Sequence, residues 1–283
     1  MKIAVTSASG QLGASITKSL IAEVGKENVV AIARTTSKAQ HLGVEVRKGD
    51  YNSLEDFKEA LKGIDKLLLV SGMDDPKKRI GQHRNVIEAA KLNRLKKIVY
   101  TSIVGDEVNT AFSPVVQSNR QTEEDIRNSG LEYVIGRNGI YIEPDLEYID
   151  TYIKEGGIIN SAANGLCGYT SREELAYAYT QMLLKDSLNG ETLNLLGEGI
   201  SQSQLADYIN QVYGTELGFT SISVEEYKKE RQAALGDFLG TIIAGIYEGI
   251  RSGANHIKSD FAKAAGRPHL GPLEMIQKYH DHK

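Results

Sequence analysis

A glycine-rich segment stands where the first apolar run of the chain meets the first helical pattern. Glycine lets a backbone approach a diphosphate closely, and the start of a helix offers free N–H groups and a positive dipole end. A strand before the segment and a helix after it are typical of a dinucleotide site. We expect cofactor contacts from seven positions of this turn: Thr6, Ser7, Ser9, Gly10, Gln11, Leu12 and Gly13.

Ser7 stands where dinucleotide-binding turns ordinarily have their first glycine. The spacing Ser7-x-x-Gly10-x-x-Gly13 is also one residue longer in its first step than the ordinary fingerprint. If the backbone here needs a positive φ, the Cβ of serine costs on the order of 1 kcal/mol. Its hydroxyl could instead bond a phosphate oxygen, so the sequence leaves both effects of Ser7 open.

Arg34 ends the second apolar run, and Lys38 follows it with no acidic residue between them. In dinucleotide folds this strand end lies beside the adenosine ribose, where an arginine accommodates a 2′-phosphate and an acid favours NAD. We therefore expect NADP(H), with a solvated surface arginine as the competing interpretation. Asp50 could bond the adenine amine or simply belong to a turn.

Two pairs of small polar residues also close predicted strands, Ser71-Gly72 and Thr101-Ser102. Open α/β sheets bind ligands at the carboxyl ends of their strands. We expect both pairs to border the cofactor, although small residues are equally common in plain turns.

The elements that must position these residues follow from the hydrophobic pattern. Nearly continuous apolar runs, as expected of strands buried on both faces of a parallel sheet, alternate with amphipathic helices such as Gln11–Val24. This order predicts an α/β fold, a Rossmann-type doubly wound parallel sheet. We expect a dinucleotide-binding domain over residues 1–138, with its sheet completed by part of the second half, and a smaller, mostly helical substrate-side domain over residues 139–283. The apolar runs are Lys2–Thr6, Val29–Ala33, Lys66–Val70, Lys97–Thr101, Glu132–Arg137 and Thr192–Leu196.

Composition excludes several classes of protein. The 283 residues carry 33 Lys and Arg against 37 Asp and Glu, a net charge of −4, which does not suggest a nucleic-acid or membrane-surface protein. The single cysteine, Cys167, cannot form an intramolecular disulfide. We find no signal-peptide or membrane-helix pattern and no metal-ligand cluster. We expect a cytoplasmic monomer or homodimer, and we interpret the acidic runs 123–125 and 173–174 as solvated helix starts.

The chain resembles the NmrA-like branch of the atypical short-chain dehydrogenases/reductases, in particular its type 2 quinone reductases and triphenylmethane reductases. The resemblance spans nearly the whole chain. The stretches that carry it are Gly10-Gln11-Leu12-Gly13, Ala31-Ile32-x-Arg34, Gly49-Asp50-Tyr51, Lys66-Leu67-Leu68, Gln82-His83-x-Asn85-Val86, Tyr100-Thr101-Ser102, Ser129-Gly130 and Arg137-Asn138-Gly139-x-Tyr141.

This resemblance implies an NADPH domain, a smaller C-terminal domain and a substrate pocket between them. It places the segment Arg137–Ile142 along the cofactor, with Arg137, Asn138, Gly139 and Tyr141 as contacts. Asn138 and Tyr141 then fall near the nicotinamide and are candidate catalytic residues. His83 is a third catalytic candidate, and the competing interpretation is that it packs in the core or caps a helix.

The proton donor of ordinary short-chain dehydrogenases is absent. Their Tyr-x-x-x-Lys pair is expected near Gln117–Glu123, where this chain has neither residue. The missing Tyr and Lys pair disfavours carbonyl reduction, because the developing alkoxide needs a proton. It disfavours quinone reduction less. We expect NADPH-dependent hydride transfer to a quinone-like small molecule without flavin, with Phe112 or Tyr169 as further pocket walls. The alternative is a non-catalytic NADP(H) sensor of the NmrA type.

Overall fold

A computed structural model describes residues 1–282. Short 3₁₀ turns at Lys26–Asn28, Thr36–Leu42 and Asp186–Leu188 join some of the elements. The strands are β1 Ile3–Val5, β2 Val29–Ala33, β3 Glu45–Lys48, β4 Lys66–Leu69, β5 Lys97–Ile103, β6 Glu132–Asn138, β7 Ile140–Tyr141, β8 Gly157–Asn160, β9 Cys167–Thr170, β10 Thr192–Leu195, β11 Gly199–Ile200 and β12 Gly218–Ser221. The helices are α1 Gln11–Val24, α2 Leu54–Ala60, α3 Pro76–Leu92, α4 Ser113–Arg127, α5 Glu143–Glu147, α6 Ile149–Glu155, α7 Arg172–Leu184, α8 Gln202–Tyr213, α9 Val224–Leu235, α10 Asp237–Ser252, α11 Phe261–Ala265 and α12 Pro272–Asp281.

The main sheet has seven strands in the order β10-β6-β5-β4-β1-β2-β3. Every neighbouring pair in it is parallel. The order reverses beside β1, which lies between β4 and β2, and such a switch point opens a crevice at the carboxyl ends of the strands. The predicted doubly wound parallel sheet is confirmed.

Helices cover both faces of this sheet, as the apolar runs predict. On one face, α1 buries Ile16 and Leu20 against a core that also includes side chains of α7 and α11. On the other face, α2, α3 and α4 bury side chains such as Phe57 and Val86. Successive residues of a strand point to opposite faces, so the core strands are apolar along their whole length.

Several helix and strand boundaries agree with their sequence signals. Helix α1 has the expected limits, and Ser53 caps α2 by accepting a hydrogen bond from Asp56 N at 3.1 Å. Helix α4 begins at Ser113, because Pro114 suits a first turn. Strand β3 is polar and lies at the sheet edge, so it has no continuous apolar run.

The second half of the chain both completes the main sheet and builds further structure beside it. Strand β10 pairs with β6, as expected of the second half. Residues 139–282 also form a three-stranded sheet, β11-β9-β7, and a two-stranded sheet, β12-β8, and the sequence pattern predicts neither of these two sheets. These strands have two to four residues, too few to show a period. The boundary at residue 138 stays our proposal for the domain division.

Two lysines are buried at the amino ends of adjacent strands. Lys66 Nζ donates to Asp186 Oδ1 at 2.8 Å and to the Leu183 carbonyl at 2.9 Å. Lys97 Nζ donates to the Lys185 carbonyl at 2.9 Å, and only 1% of this residue is exposed. Burial, together with the charge of Lys66, lowers the pKa of Lys97 to about 8.

This lowered pKa predicts how stability depends on pH. Between about pH 8 and 10 the unfolded chain binds a proton at Lys97 that the folded chain has released, so this residue makes stability rise with pH. We expect the free energy of unfolding of the wild type, minus that of Lys97→Met, to increase by on the order of 1–3 kcal/mol across this range. Urea unfolding at pH 7.5, 8.5 and 9.5 measures the difference. Parallel pH curves for the two proteins would contradict the lowered pKa.

Candidate functional site

The glycine-rich turn joins β1 to α1 at the switch point of the sheet. Ser7 has a φ of 49°, in the left-handed region that glycine adopts most easily. A Cβ on Gly13 would lie 2.4 Å from the Ser7 carbonyl oxygen, so helix and turn approach too closely for any other residue there. The structure thus gives Ser7 the positive φ that its place in the turn suggests.

The side chain of Tyr51 fixes the position of the glycine-rich turn. Its hydroxyl donates to the Val70 carbonyl at 2.5 Å, accepts from Ser7 Oγ at 3.1 Å and lies 2.7 Å from Thr6 Oγ1. Its ring stacks on that of Phe57, with 5.5 Å between the ring centroids. The Ser7 hydroxyl is therefore engaged by the protein. Nothing in the local sequence around Tyr51 predicts its contact with Ser7, because a tyrosine that follows a strand is not typical of any particular role.

The start of α1 suits an anionic ligand. Gly10 is the N-cap and offers no side chain to the free N–H groups, and the first turn contains no acidic residue. An uncapped helix start of this kind favours a pyrophosphate. Ser9, Gly10 and Gln11 are exposed there, whereas Leu12 is buried.

The cationic residues after β2 are available to a ligand. Arg34 and Lys38 are exposed, and within residues 1–282 neither belongs to an ion pair. Asp50 Oδ1 accepts hydrogen bonds from the backbone N and from the Nδ2 of Asn52, at 2.9 and 3.0 Å. Asp50 therefore stabilises a turn, which is the second of the two roles considered for it. Together with the α1 start, these free cations match a dinucleotide that carries a 2′-phosphate.

The carboxyl ends of β4 and β5 are tied together by polar side chains. Thr101 Oγ1 accepts from Ser71 N at 2.8 Å. Asn119 Oδ1, on α4, accepts from Tyr100 Oη at 2.6 Å and from Ser71 Oγ at 3.1 Å. The α4 side chain that joins Tyr100 and Ser71 is therefore a neutral amide that is already hydrogen-bonded.

His83 is buried in this network. Its Nε2 accepts from Gly72 N at 3.1 Å, and its Nδ1 contacts Thr122 Oγ1 at 2.9 Å. Burial lowers the pKa of His83 to about 3, and the charge of Arg79 adds to the effect. The ring is neutral at physiological pH and only 1% of the residue is exposed. The geometry assigns His83 to holding the β4 end, which is the packing role weighed against catalysis above.

Ser102 and Arg137 form a buried ion cluster with Glu123. Arg137 donates to both carboxylate oxygens, from Nε at 2.9 Å and from Nη2 at 2.7 Å, and Ser102 Oγ donates at 2.6 Å. Arg120 and Arg127 add bonds of 2.9 and 3.0 Å. Burial raises the pKa of Glu123, but the bonds from Arg137 and Ser102 outweigh it and hold the pKa below its usual value.

The interpretation of both acidic runs as solvated helix starts is wrong in two respects. Residues 123–125 lie near the end of α4, and one residue of each run is buried. Glu123 lies late in α4 and is completely buried, because three arginines converge on it. Glu174 does lie in the first turn of α7, but only 1% of it is exposed, and Arg267 donates to both of its oxygens. A buried carboxylate with distant partners leaves no local mark in a sequence.

Asn138 and Tyr141 are adjacent at the end of β6. Tyr179 Oη lies 2.5 Å from Asn138 Oδ1, and Asn138 Nδ2 donates to Tyr141 Oη at 3.0 Å. Tyr141 Oη accepts this bond, and its own hydroxyl hydrogen has no acceptor within residues 1–282. That hydrogen is therefore free to donate. Burial raises the pKa of Tyr141 to about 12. The neighbouring Gly139 is required, since a Cβ there would lie 2.5 Å from the Gly168 carbonyl oxygen.

Within residues 1–282, no group of three or more His, Cys, Asp or Glu side chains could hold a metal ion. None of the helices in the same range is both long enough and apolar enough to cross a membrane.

Comparison with known proteins agrees with this geometry. The NAD(P)H-binding family matches residues 7–185. The chain belongs to this family. It is 31% identical to quinone oxidoreductase 2 of Escherichia coli over 280 residues, which are 97% of each chain. It is also 26% identical to an NmrA-like family domain-containing oxidoreductase of Aspergillus flavus, over 98% of this chain and 94% of that one.

A solved structure of a triphenylmethane reductase from Citrobacter sp., complexed with NADP(H), matches with a TM-score of 0.90 at 33% identity, covering 99% of both chains. The NADPH complex of the Escherichia coli quinone oxidoreductase matches with a TM-score of 0.90 at 30% identity, over 98% of this chain and 99% of that one. The expected NmrA-like resemblance, the NADP(H) cofactor and an oxidoreductase activity are thereby confirmed. The residues of the site and their roles stay predictions.

The left-handed φ of Ser7 predicts a ranking of variants. Ser7→Gly removes the cost of a Cβ in this region, about 1–2 kcal/mol, whereas Ser7→Ala keeps that cost and loses the bond to Tyr51. This cost belongs to the folded backbone, so we expect the free energy of unfolding, measured in urea, to be highest for glycine, intermediate for serine and lowest for alanine. We expect NADPH affinity, measured by titration, to increase modestly in Ser7→Gly. Weaker binding by Ser7→Gly would mean instead that the hydroxyl bonds the cofactor.

The free charge of Arg34 predicts the choice of cofactor. A charge-assisted bond to the 2′-phosphate is worth about 1.5–3 kcal/mol, so NADPH should bind roughly 10- to 100-fold more tightly than NADH. Arg34→Ala should remove most of this preference and leave NADH affinity unchanged. Lys26→Ala, another exposed cation at a distance from the β2 end, is the matched control. Equal affinities of the wild type for the two cofactors would contradict the assignment.

Proposed function

We propose that this oxidoreductase transfers a hydride from NADPH to a quinone or a similar flat conjugated acceptor, without flavin. The observation that carries the proposal concerns three side chains at the carboxyl ends of β4, β5 and β6 in the described chain: none of His83, Asn119 and Glu123 is placed to release a proton near neutral pH. His83 is neutral and buried, Asn119 is an amide, and Glu123 is paired with arginines. Simple ketones need such a donor, because hydride addition produces a strongly basic alkoxide.

A conjugated acceptor removes this need. Hydride from the nicotinamide would leave its negative charge spread over the ring and the oxygens, and water can protonate such a weakly basic product later. The protein then has to orient the acceptor and stabilise the developing charge, which hydrogen-bond donors of fixed position do well.

Tyr141 is the residue suited to that second task. Its hydroxyl hydrogen is free to donate to an acceptor oxygen, and the chain Tyr179–Asn138–Tyr141 fixes the hydroxyl in place. With a pKa of about 12, Tyr141 keeps its proton throughout the physiological range. We assign it to donating a hydrogen bond, and Asn138 to positioning it.

An apolar groove offers a place for the flat acceptor. Its volume is about 410 Å³, and it runs between the starts of α3, α4 and α10, next to the loop that follows β4. Its apolar walls are Pro76, Ala111, Pro114, Phe238 and Ile242. None of the walls expected from sequence, Tyr141, Phe112 and Tyr169, lines this groove. Phe112 and Tyr169 are 6% and 1% exposed, because both pack inside the core.

The relatives support this acceptor class. One is named for quinone reduction, and the structural neighbour is a reductase of triphenylmethane dyes, which are extended conjugated molecules. NADPH oxidation with a panel of quinones and simple ketones tests the proposal. We expect turnover with quinones and little with ketones. Tight NADPH binding with no oxidation by any quinone would favour the sensor alternative.

The same geometry predicts the pH dependence. With the pKa of His83 at about 3 and that of Tyr141 at about 12, neither group titrates between pH 6 and 8, so quinone reduction should be flat across this window. Burial also raises the pKa of Glu143, two residues beyond Tyr141, so Glu143→Gln should be tested in parallel. A limb in the wild-type profile that disappears in Glu143→Gln or His83→Gln would show that a protein acid takes part.

Removing the Tyr141 hydroxyl should affect turnover directly. We expect Tyr141→Phe to lower kcat/KM by roughly 10- to 100-fold, the value of a hydrogen bond to a charged oxygen. Gln121→Ala is the control, because this α4 side chain bonds only Asp125 in the described chain. Equal rates for Tyr141→Phe and the wild type would remove Tyr141 from the site.

A further inference from the structure

Phe238 is an exposed aromatic side chain at the start of α10, and it forms one wall of the apolar groove. Just over half of this residue, 54%, is exposed. A single exposed apolar residue is common on protein surfaces, but Phe238 continues the apolar surface formed by Pro114 and Ile242. Contiguous apolar surface of this kind is typical of a ligand groove, and a molecule bound there would cover the Phe238 ring.

The volume of the groove indicates the size of that molecule. A cavity of roughly 150 Å³ is enough to bind one benzene ring. The groove has a volume of about 410 Å³, more than twice as large, and lies within the range of small-molecule sites, roughly 300–1,000 Å³. A single-ring quinone would leave much of this space to water, whereas two fused rings would fill more of it.

The polar residues that line the groove serve the helices around it. Asp75 Oδ1 caps α3 by accepting from Lys77 N at 2.9 Å. Asp237 lies in the first turn of α10, where the helix dipole favours a negative charge. Thr241 Oγ1 accepts from Gln232 Nε2 at 2.9 Å. Recognition of an acceptor in the groove therefore depends on apolar and aromatic contact.

Helix α10 holds Phe238 at a fixed distance from the floor of the groove. A Cβ on Gly245 would lie 2.3 Å from Phe112 N, so the helix contacts the backbone that precedes α4 directly. Glu248 Oε2 accepts from Ala111 N at 2.9 Å, and Ala111 itself lines the groove. Phe238 lies about two helical turns before Gly245 on the same rigid element.

The same helix is tied to the segment that carries Tyr141. Asp145, on α5, is buried, and its Oδ1 accepts from Tyr247 Oη at 3.1 Å and from Tyr152 Oη at 2.6 Å. Helix α5 begins two residues after Tyr141. The bond between Asp145 and Tyr247 therefore links α10 to the helix that follows the proposed hydrogen-bond donor.

We propose that Phe238 determines acceptor specificity: its ring stacks on the second ring of a two-ring quinone, so the enzyme prefers fused-ring acceptors to single-ring ones. The inference rests on the proposed quinone reduction and adds the class of quinone to it. Stacking of two aromatic rings is favourable beyond the apolar area that it buries, so an aromatic side chain at this position acts more strongly than an aliphatic one.

The first experiment compares 1,4-naphthoquinone with 1,4-benzoquinone in NADPH oxidation. We expect Phe238→Ala to lower kcat/KM about 10-fold more for the two-ring quinone than for the single-ring one, because it removes both stacking and apolar contact. Phe238→Trp should keep the wild-type preference. Leu239→Ala is the matched control, since Leu239 is the next residue, is 43% exposed and does not line the groove. It should leave the ratio of the two kcat/KM values unchanged.

The second experiment does not depend on turnover. The chain contains no tryptophan, so Phe238→Trp and Leu239→Trp each introduce a single fluorescent indole. Quinones quench indole fluorescence at contact, and NADP⁺ has no hydride to transfer. With NADP⁺ present, we expect 2-methyl-1,4-naphthoquinone to quench Phe238→Trp with a saturable dependence on its concentration. Leu239→Trp should show only collisional quenching, which does not saturate.

Three results would overturn the proposal: the same ratio between the two quinones in Phe238→Ala as in the wild type, quenching that is equal in the two tryptophan variants, or a loss of NADPH affinity in Phe238→Ala. The last would mean that Phe238 serves the cofactor. If the wild type reduces no quinone, the proposed function fails, and the quenching experiment still decides whether the groove binds a two-ring molecule at Phe238.

Discussion

All seven strands of the main sheet run parallel, so they end at one edge, where their last backbone N–H and C=O groups have no further strand residue to bond. Buried polar groups of this kind need partners. Side chains from neighbouring loops and helices supply them here: Tyr51 bonds the Val70 carbonyl, Thr101 the Ser71 N–H and His83 the Gly72 N–H. The edge where we place the cofactor is thus built by the same groups that terminate the sheet.

Buried charged groups at this edge need partners in the same way as buried backbone groups do. Glu123 is completely buried, and it is tolerated because Ser102 and three arginines bond its two oxygens. A single buried carboxylate without partners would cost several kcal/mol in desolvation. The cluster joins α4 to the ends of β5 and β6, so the helix and the strands that border the site are held in one orientation.

This construction shapes the chemistry. In a reductase with a tunable acid, the helix beside the sheet edge carries an ionisable group whose proton is available. In this chain the corresponding helix contributes Asn119 and Glu123, both fully committed to the protein. The site is consequently rigid and polar but has little capacity to donate protons. We propose that such a site takes acceptors that tolerate delayed protonation, with Tyr141 as the fixed hydrogen-bond donor.

The sequence by itself determined the sheet, its helices and the cofactor class. Those features depend on local signals: continuous apolar runs, the 3.6-residue period, a glycine-rich turn and a cation after the second strand. Tertiary structure decided the state of the polar residues. Nothing local distinguishes Glu123, which is buried under three arginines, from its exposed neighbour Glu124. Nor does local sequence show that Tyr51 reaches Ser7, 44 residues away, or that His83 is a neutral acceptor in the core. Protonation, burial and hydrogen-bonding partners depend on contacts between residues far apart in the chain, and only the folded arrangement brings those residues together.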